Sequence, residues 1–165
     1  MMPPRRSPGR AHTVERADPA AARAAAVALL TRRDLASEAL RARLCRAGFE
    51  PATAAGAVAE LAACGIVDDR RFAENYVTWH AGRGQGPIRI GAELRRLGVS
   101  AELVQAVLDA ETEWRAHALR VRATKFGGQK PASWAERARQ ARFLQYRGFS
   151  ADHIRAAIGA DFDLD

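Results

Sequence analysis

Cysteine is scarce: of 165 residues only Cys45 and Cys64 carry a thiol. No CxxC pair and no cysteine–histidine ligand spacing occurs, which removes a disulfide framework and a zinc site and leaves both side chains as expected buried thiols of a reducing compartment. No run approaches the roughly 18 apolar residues that a membrane helix needs. The best stretch, residues 20–30, is interrupted by Arg23 and followed by Arg32 and Arg33, so neither a span nor a secretory leader is expected. Also missing are a Ser/His/Asp set in a plausible context, an HExxH helix, a Walker phosphate loop and clustered metal ligands. A non-enzyme with no cofactor and no metal ion is the expectation.

What is present is repetition. Leu44-Cys-Arg-Ala-Gly48-Phe49, Leu94-Arg-Arg-Leu-Gly98-Val99 and Leu144-Gln-Tyr-Arg-Gly148-Phe149 stand at a spacing of 50 residues. Apolar positions continue in step, with Ala54, Val104 and Ile154 six residues after the glycines and Val58, Leu108 and Ile158 ten after. One helical unit has been used three times. Alanine supplies 37 residues, which pack helices closely rather than thickly. The fold expected is therefore all-α: three tandem three-helix repeats forming an elongated, curved array, in a monomer. Residues 20–67, 68–113 and 114–160 are the repeats, between a disordered basic arm at 1–19, which holds four of the seven prolines, and an acidic tail at 161–165.

In each unit the glycine sits where a helix must end in the left-handed region, and Ser100 and Ser150, two residues later, are placed to cap the next helix. The first unit offers helices at about 20–33, from Ser37, and after Pro51. The second opens at Asp68-Asp69, read as a helix cap because carboxylates favour the positive helix end; adjacent side chains diverge and no third ligand is near, which speaks against a metal or acid–base pair. Phe72, Tyr76 or Val77, and His80 recur on one stripe, which makes His80 a packing residue rather than a ligand. Gly82-Arg-Gly-Gln-Gly86-Pro87 precedes a helix carrying Ile90 and Leu94; it reads either as a flexible connection or, more weakly, as a phosphate-binding turn. In the third unit Ser133-Trp-Ala-Glu136 has capping-box spacing after a polar stretch at 125–131.

The net charge of +7 is uneven. Residues 114–165 hold ten lysines and arginines against five acids, three of them in the final tail, whereas residues 68–113 are slightly acidic. A polyanion or an acidic protein surface is the natural partner. The candidate contact residues are Arg83, Arg89, Arg95 and Arg96 in the middle unit and Lys125, Lys130, Arg137, Arg139, Arg142 and Arg147 in the last. Arg139, Arg142 and Tyr146 share a helix face suited to phosphate or to carboxylates. The alternative is that Tyr146 packs into the structure and the arginines are merely solvated. Gly48, Asp68, Asp69, Phe72, Tyr76, Gly86, Gly98, Gly148 and Phe149 read as framework.

Three segments in order, Gly65-Ile-Val-Asp-Asp-Arg-Arg-Phe-Ala-Glu-Asn-Tyr-Val77, then Gly86-Pro-x-Arg89-Ile90-x-x-Glu93-Leu94-x-x-x-Gly98-Val99, then Arg142-Phe-Leu-x-x-Arg147-Gly148-Phe149-Ser150-x-x-x-Ile154, resemble the signature of the RecX family of RecA regulators. The resemblance covers roughly residues 20–160. It implies three tandem three-helix repeats, no catalysis, a bacterial cytoplasmic location, and binding to the RecA–DNA filament so as to limit its growth, ATPase and strand exchange. Recombination, DNA repair and the SOS response would be modulated in consequence, with single- or double-stranded DNA as a further contact. The competing class is a stand-alone, sequence-nonspecific DNA-binding helical-repeat protein, whose affinity would fall steeply with salt whether or not RecA is present.

Overall fold

A computed structural model describes residues 17–159; the acidic tail and all but the last three residues of the expected basic arm lie outside the described residues. Among the described residues there are nine helices and no strand: α1 (Pro19–Leu30), α2 (Ser37–Arg46), α3 (Pro51–Ala63), α4 (Asp69–Gly82), α5 (Pro87–Arg96), α6 (Ala101–Ala110), α7 (Trp114–Phe126), α8 (Trp134–Arg147) and α9 (Ala151–Ile158). Helix α1 stops short of the expected residue 33 because the Thr31 hydroxyl donates back to the Ala28 carbonyl at 2.8 Å and the chain turns there.

The triplicated motif is a helix terminator. At all three copies the glycine has positive φ (102°, 89° and 93° for Gly48, Gly98 and Gly148). The N–H of the next residue donates back to the carbonyl of the repeated leucine: Phe49 to Leu44, Val99 to Leu94 and Phe149 to Leu144, each at 3.1 Å. This is the Schellman arrangement, in which the residue after the glycine also packs on the leucine side. It explains why leucine, glycine and an apolar residue recur together; Leu44, Leu94 and Leu144 are all fully buried. The caps follow as expected: Ser100 Oγ accepts from Leu103 N, Ser150 Oγ from His153 N, and Ser133 with Glu136 forms a complete capping box.

The chain divides into two compact units, one ending at Phe72 and the other beginning at Ala73. In the first, α1, α2 and α3 pack on one another around Ala22, Ala26, Leu40, Leu44, Ala54, Val58 and Leu61. Asp68 and Asp69 are caps of different helices. Asp68 Oδ1 accepts from Arg71 N of its own helix at 3.0 Å, whereas Asp69 Oδ1 takes the Ser37 N–H at 2.7 Å and the Ser37 hydroxyl at 3.0 Å. The N-cap residue of α2 is Ala36, which has no capping side chain, so a carboxylate 32 residues beyond Ser37 serves the free Ser37 N–H. Cys45 is half-buried, but Cys64 is exposed at the end of α3, against the expectation of two buried thiols: it falls one residue past the last helical turn, on the solvent side.

In the second unit α9 packs chiefly on α7, and α5 on α6. The glycine-rich connection before α5 is docked rather than flexible. Gly86 N donates to the Arg147 carbonyl at 2.8 Å and Ile88 N to the Gly148 carbonyl at 3.0 Å, so the start of α5 is bonded to the end of α8. A Cβ on Gly86 would lie 2.3 Å from the Gly148 carbonyl carbon, and one on Gly148 would lie 2.4 Å from Arg89 Cβ. The turn is therefore neither a flexible connection nor an open anion site, because carbonyls already occupy amides a phosphate would need.

Gly86 has an ordinary φ of −90°, so alanine there is a purely steric change, whereas Gly98→Ala is a conformational one. All three tryptophans belong to the second unit, so their fluorescence reports it. In urea unfolding followed this way, Gly86→Ala is expected to cost about 3 kcal/mol or more and Gly98→Ala about 1–2 kcal/mol. Equal, small losses would show that Gly86 is not in backbone contact with Gly148.

Candidate functional site

On α8, Arg139, Phe143 and Arg147 are four residues apart and share one side of the helix. That side meets the end of α7. The Arg139 guanidinium lies 5.3 Å from the Phe126 ring centre, Phe126 meets Phe143 edge-to-face at 5.3 Å, and the Arg147 guanidinium lies 5.3 Å from the Phe143 ring centre. Two touching rings thus carry a cation at each end, an arrangement that holds each guanidinium without neutralising it. Beside this ladder is a cavity of about 350 Å³ lined by Arg83, Arg120, Lys125 and Arg147 together with Val121, Thr124 and Phe143. Arg83 reaches it from the end of α4, where its guanidinium stacks 4.0 Å over the Trp79 ring. An Arg147 amino group donates to the Arg83 carbonyl at 3.5 Å.

The structure therefore brings together Arg83, Lys125, Arg139 and Arg147 of the expected contact residues. Arg142 is exposed on α8 near Tyr146, which is 78% exposed and so faces solvent rather than packing inward. Lys130 is exposed in the loop before α8, and Arg137 turns back to the Pro131 carbonyl at 3.5 Å. Arg95 and Arg96 are exposed in the last turn of α5, where they favour its negative end. Arg89 is committed elsewhere, pairing with Glu93 at 3.4 Å. Arg120, Trp79, Phe126 and Phe143 were not singled out from the sequence. The four-residue spacing of Arg139, Phe143 and Arg147 was the available signal for the ring ladder, but nothing local places Arg120 across from Arg147.

Two polar clusters are structural. Arg122, counted from the sequence among the basic residues of the last third, is 1% exposed. Its guanidinium donates to the carbonyls of Gln129 at 2.7 Å and Gly128 at 3.2 Å, and to Gln140 Oε1 at 3.4 Å, which makes it a loop anchor rather than surface charge. In α4 and α5 the Tyr76 hydroxyl donates to Glu93 Oε2 at 2.6 Å, while His80 stacks on Tyr76 and its Nδ1 lies 2.9 Å from Gln85 Oε1. His80 is a packing residue, as the stripe suggested.

Residues 68–108 match the second three-helix domain of RecX, and residues 111–158 the third. Regulatory protein RecX of Halorhodospira halophila is 45% identical over 141 residues, covering 85% of this chain and 88% of that protein. The chain belongs to the RecX family. Regulatory protein RecX of Stenotrophomonas maltophilia is 39% identical, over 84% of this chain and 85% of its own length. Among solved structures, RecX from Lactobacillus salivarius superposes with a TM-score of 0.76 at 17% identity, over 85% of this chain and 94% of that one. A second RecX crystal structure gives 0.72 at 16% identity, over 95% and 80%. These two likenesses concern the fold.

The span matched by the second RecX domain contains the Tyr76–Glu93 bond, and its acid–base behaviour is testable. Burial, with the neighbouring Glu93 carboxylate, pushes the Tyr76 phenol up to about 12. The Tyr76 hydrogen bond, with Arg89 beside it, holds the Glu93 carboxyl below its usual value. A raised phenol pKa stabilises the fold below pH 10, and that contribution is lost as pH rises from 10 to 12. A depressed carboxyl pKa stabilises it above about pH 4.5, and that contribution is lost as the solution is acidified. In a Tyr146→Phe background, ultraviolet titration of the phenolate should show the remaining tyrosine ionising near pH 12. Tyr76→Phe should abolish that step and cost about 1–2 kcal/mol near neutral pH. Ionisation near pH 10 in the folded protein would refute the bond.

Proposed function

We propose that this RecX-family chain is a non-catalytic regulator, mainly an inhibitor, of the RecA recombinase. It binds the RecA–DNA filament in the bacterial cytoplasm and limits its growth, ATPase and strand exchange. Family membership over most of the chain carries the reading. The basic face of α7 and α8 supports it, because solvent-facing guanidiniums held by rings are suited to acidic protein surface or to DNA phosphate. The repeats 20–67, 68–113 and 114–160 supply the framework, and the last one supplies the main electrostatic contact.

RecA ATPase on single-stranded DNA, titrated with this protein, is the direct test. Turnover should fall at protein levels well below DNA saturation; undiminished turnover at several-fold molar excess over RecA would exclude the reading for that pair. Direct DNA binding without RecA, with a steep log–log salt dependence, would instead favour the stand-alone DNA-binding class.

The location of the contact is tested by charge reversal. Replacing Arg139, Arg142 and Arg147 by glutamate should weaken filament binding by orders of magnitude at low salt with helicity unchanged. Reversing Arg41, Arg43 and Arg46 on α2 should cost less, since that segment is nearly neutral and Arg41 is already paired with Glu38. Equal losses would mean that net charge alone controls association, and a larger loss from α2 would place the contact in the first repeat.

A further inference from the structure

The cavity beside the ring ladder has the character of a ligand site as well as a place on a basic surface. Arg83 comes from the end of α4, Arg120 and Lys125 from α7, and Arg147 from α8, yet all four line one space of about 350 Å³. No aspartate or glutamate is in that lining. None of the four forms an ion pair with a carboxylate among the described residues, although Arg120 is bonded to His117 Nδ1; Arg23, Arg41, Arg89 and Arg155 by contrast each have a carboxylate partner. Convergence of four like charges with no carboxylate among them is unfavourable, and an anion entering the cleft removes that repulsion.

The cavity is also partly built in advance. Arg147 is held by the Arg83 carbonyl and the Phe143 ring, and Arg83 by the Trp79 face, so ordering these side chains costs little when a ligand arrives. Gly84, buried and with φ of +81°, lets the α4 end approach Val121 closely enough to wall off one side. The remaining wall, Val121 and Phe143, is apolar. Its volume lies in the range of about 300–1,000 Å³ typical of small-molecule sites. Four cations match two or three phosphoryl groups better than a single phosphate, and the apolar wall suits a nucleoside.

We propose that this cavity binds a nucleoside 5′-diphosphate or triphosphate, with the phosphates on Arg120, Lys125 and Arg147 and the nucleoside against Val121 and Phe143. Unlike a Walker site, it recognises phosphate with side chains rather than with backbone N–H groups. The proposal stands independently of the RecA reading, since it requires neither RecA nor DNA.

Isothermal titration calorimetry at low salt, without added metal, tests it with ADP, ATP, tripolyphosphate and adenosine as probes. One ADP or ATP is expected per chain, ATP binding more tightly than tripolyphosphate and adenosine not at all. The double variant Arg120→Ala/Lys125→Ala removes exposed side chains and should stay folded by circular dichroism while losing roughly tenfold or more in affinity. The control pair Arg95→Ala/Arg96→Ala, on α5, should bind as the parent does. Binding should also alter the emission of Trp79, and Trp79→Phe should abolish that change while calorimetric binding persists. Four results would overturn the proposal: no heat with millimolar ATP; equal loss from the Arg95/Arg96 pair; tripolyphosphate binding as tightly as ATP; or an oligothymidylate bound at this cavity that ADP fails to displace.

Discussion

The second unit depends on one close approach, that of the backbone at Gly86 to the backbone at Gly148. Two main chains can touch in this way only where neither carries a Cβ, and the contact does more than fill space: it lets the first amides of α5 use the last carbonyls of α8. A helix start and a helix end, each with unsatisfied groups and opposite partial charge, satisfy one another. The turn that terminates α8 is thus also the seat on which α5 begins. Arg83, three residues before Gly86, and Arg147, the residue before Gly148, are brought to one cavity by the same contact, so the basic site is a by-product of how two repeats interlock.

The repeat register was legible in the sequence because it is local. Leucine, glycine and an apolar residue at fixed offsets write out a helix terminator, and the apolar positions six and ten residues later are buried in nearly every case, with Leu108 only partly so. The caps at Ser100, Ser133 and Ser150 were legible for the same reason. The docking of Gly86 was not, since a glycine that escapes a clash with a residue 62 positions away looks like any glycine in a loop. Asp69 shows the same limit: its carboxylate was readable as a cap, but the helix it serves in the first unit begins at Ser37.

Charge was legible in amount and less so in arrangement. The excess over residues 114–165 is a matter of counting, but Arg122 among those ten cations is buried, Arg137 turns to a carbonyl, and Arg83 joins the cluster from the preceding helix. Which arginines act together is decided by tertiary packing of α4, α7 and α8, and nothing in the local sequence marks Trp79, Phe126 and Phe143 as the rings that hold them. The resemblance to RecX named the family from motif residues that prove to be largely framework, Gly86, Tyr76, Glu93 and Gly148 among them.

Arg122 shows how such a framework constrains sequence drift. A guanidinium cannot shed its proton to become neutral in a protein interior, so once buried it needs acceptors permanently. Two of its three acceptors here are main-chain oxygens, at Gly128 and Gln129, in a loop whose residues 127–130 are otherwise exposed. Main-chain oxygens are present whatever side chain is attached. Residues 128–130 are therefore free to vary in identity, while their number is fixed: one residue inserted or deleted would carry the carbonyls out of register with an immovable charge. The segment should wander in composition and keep its length.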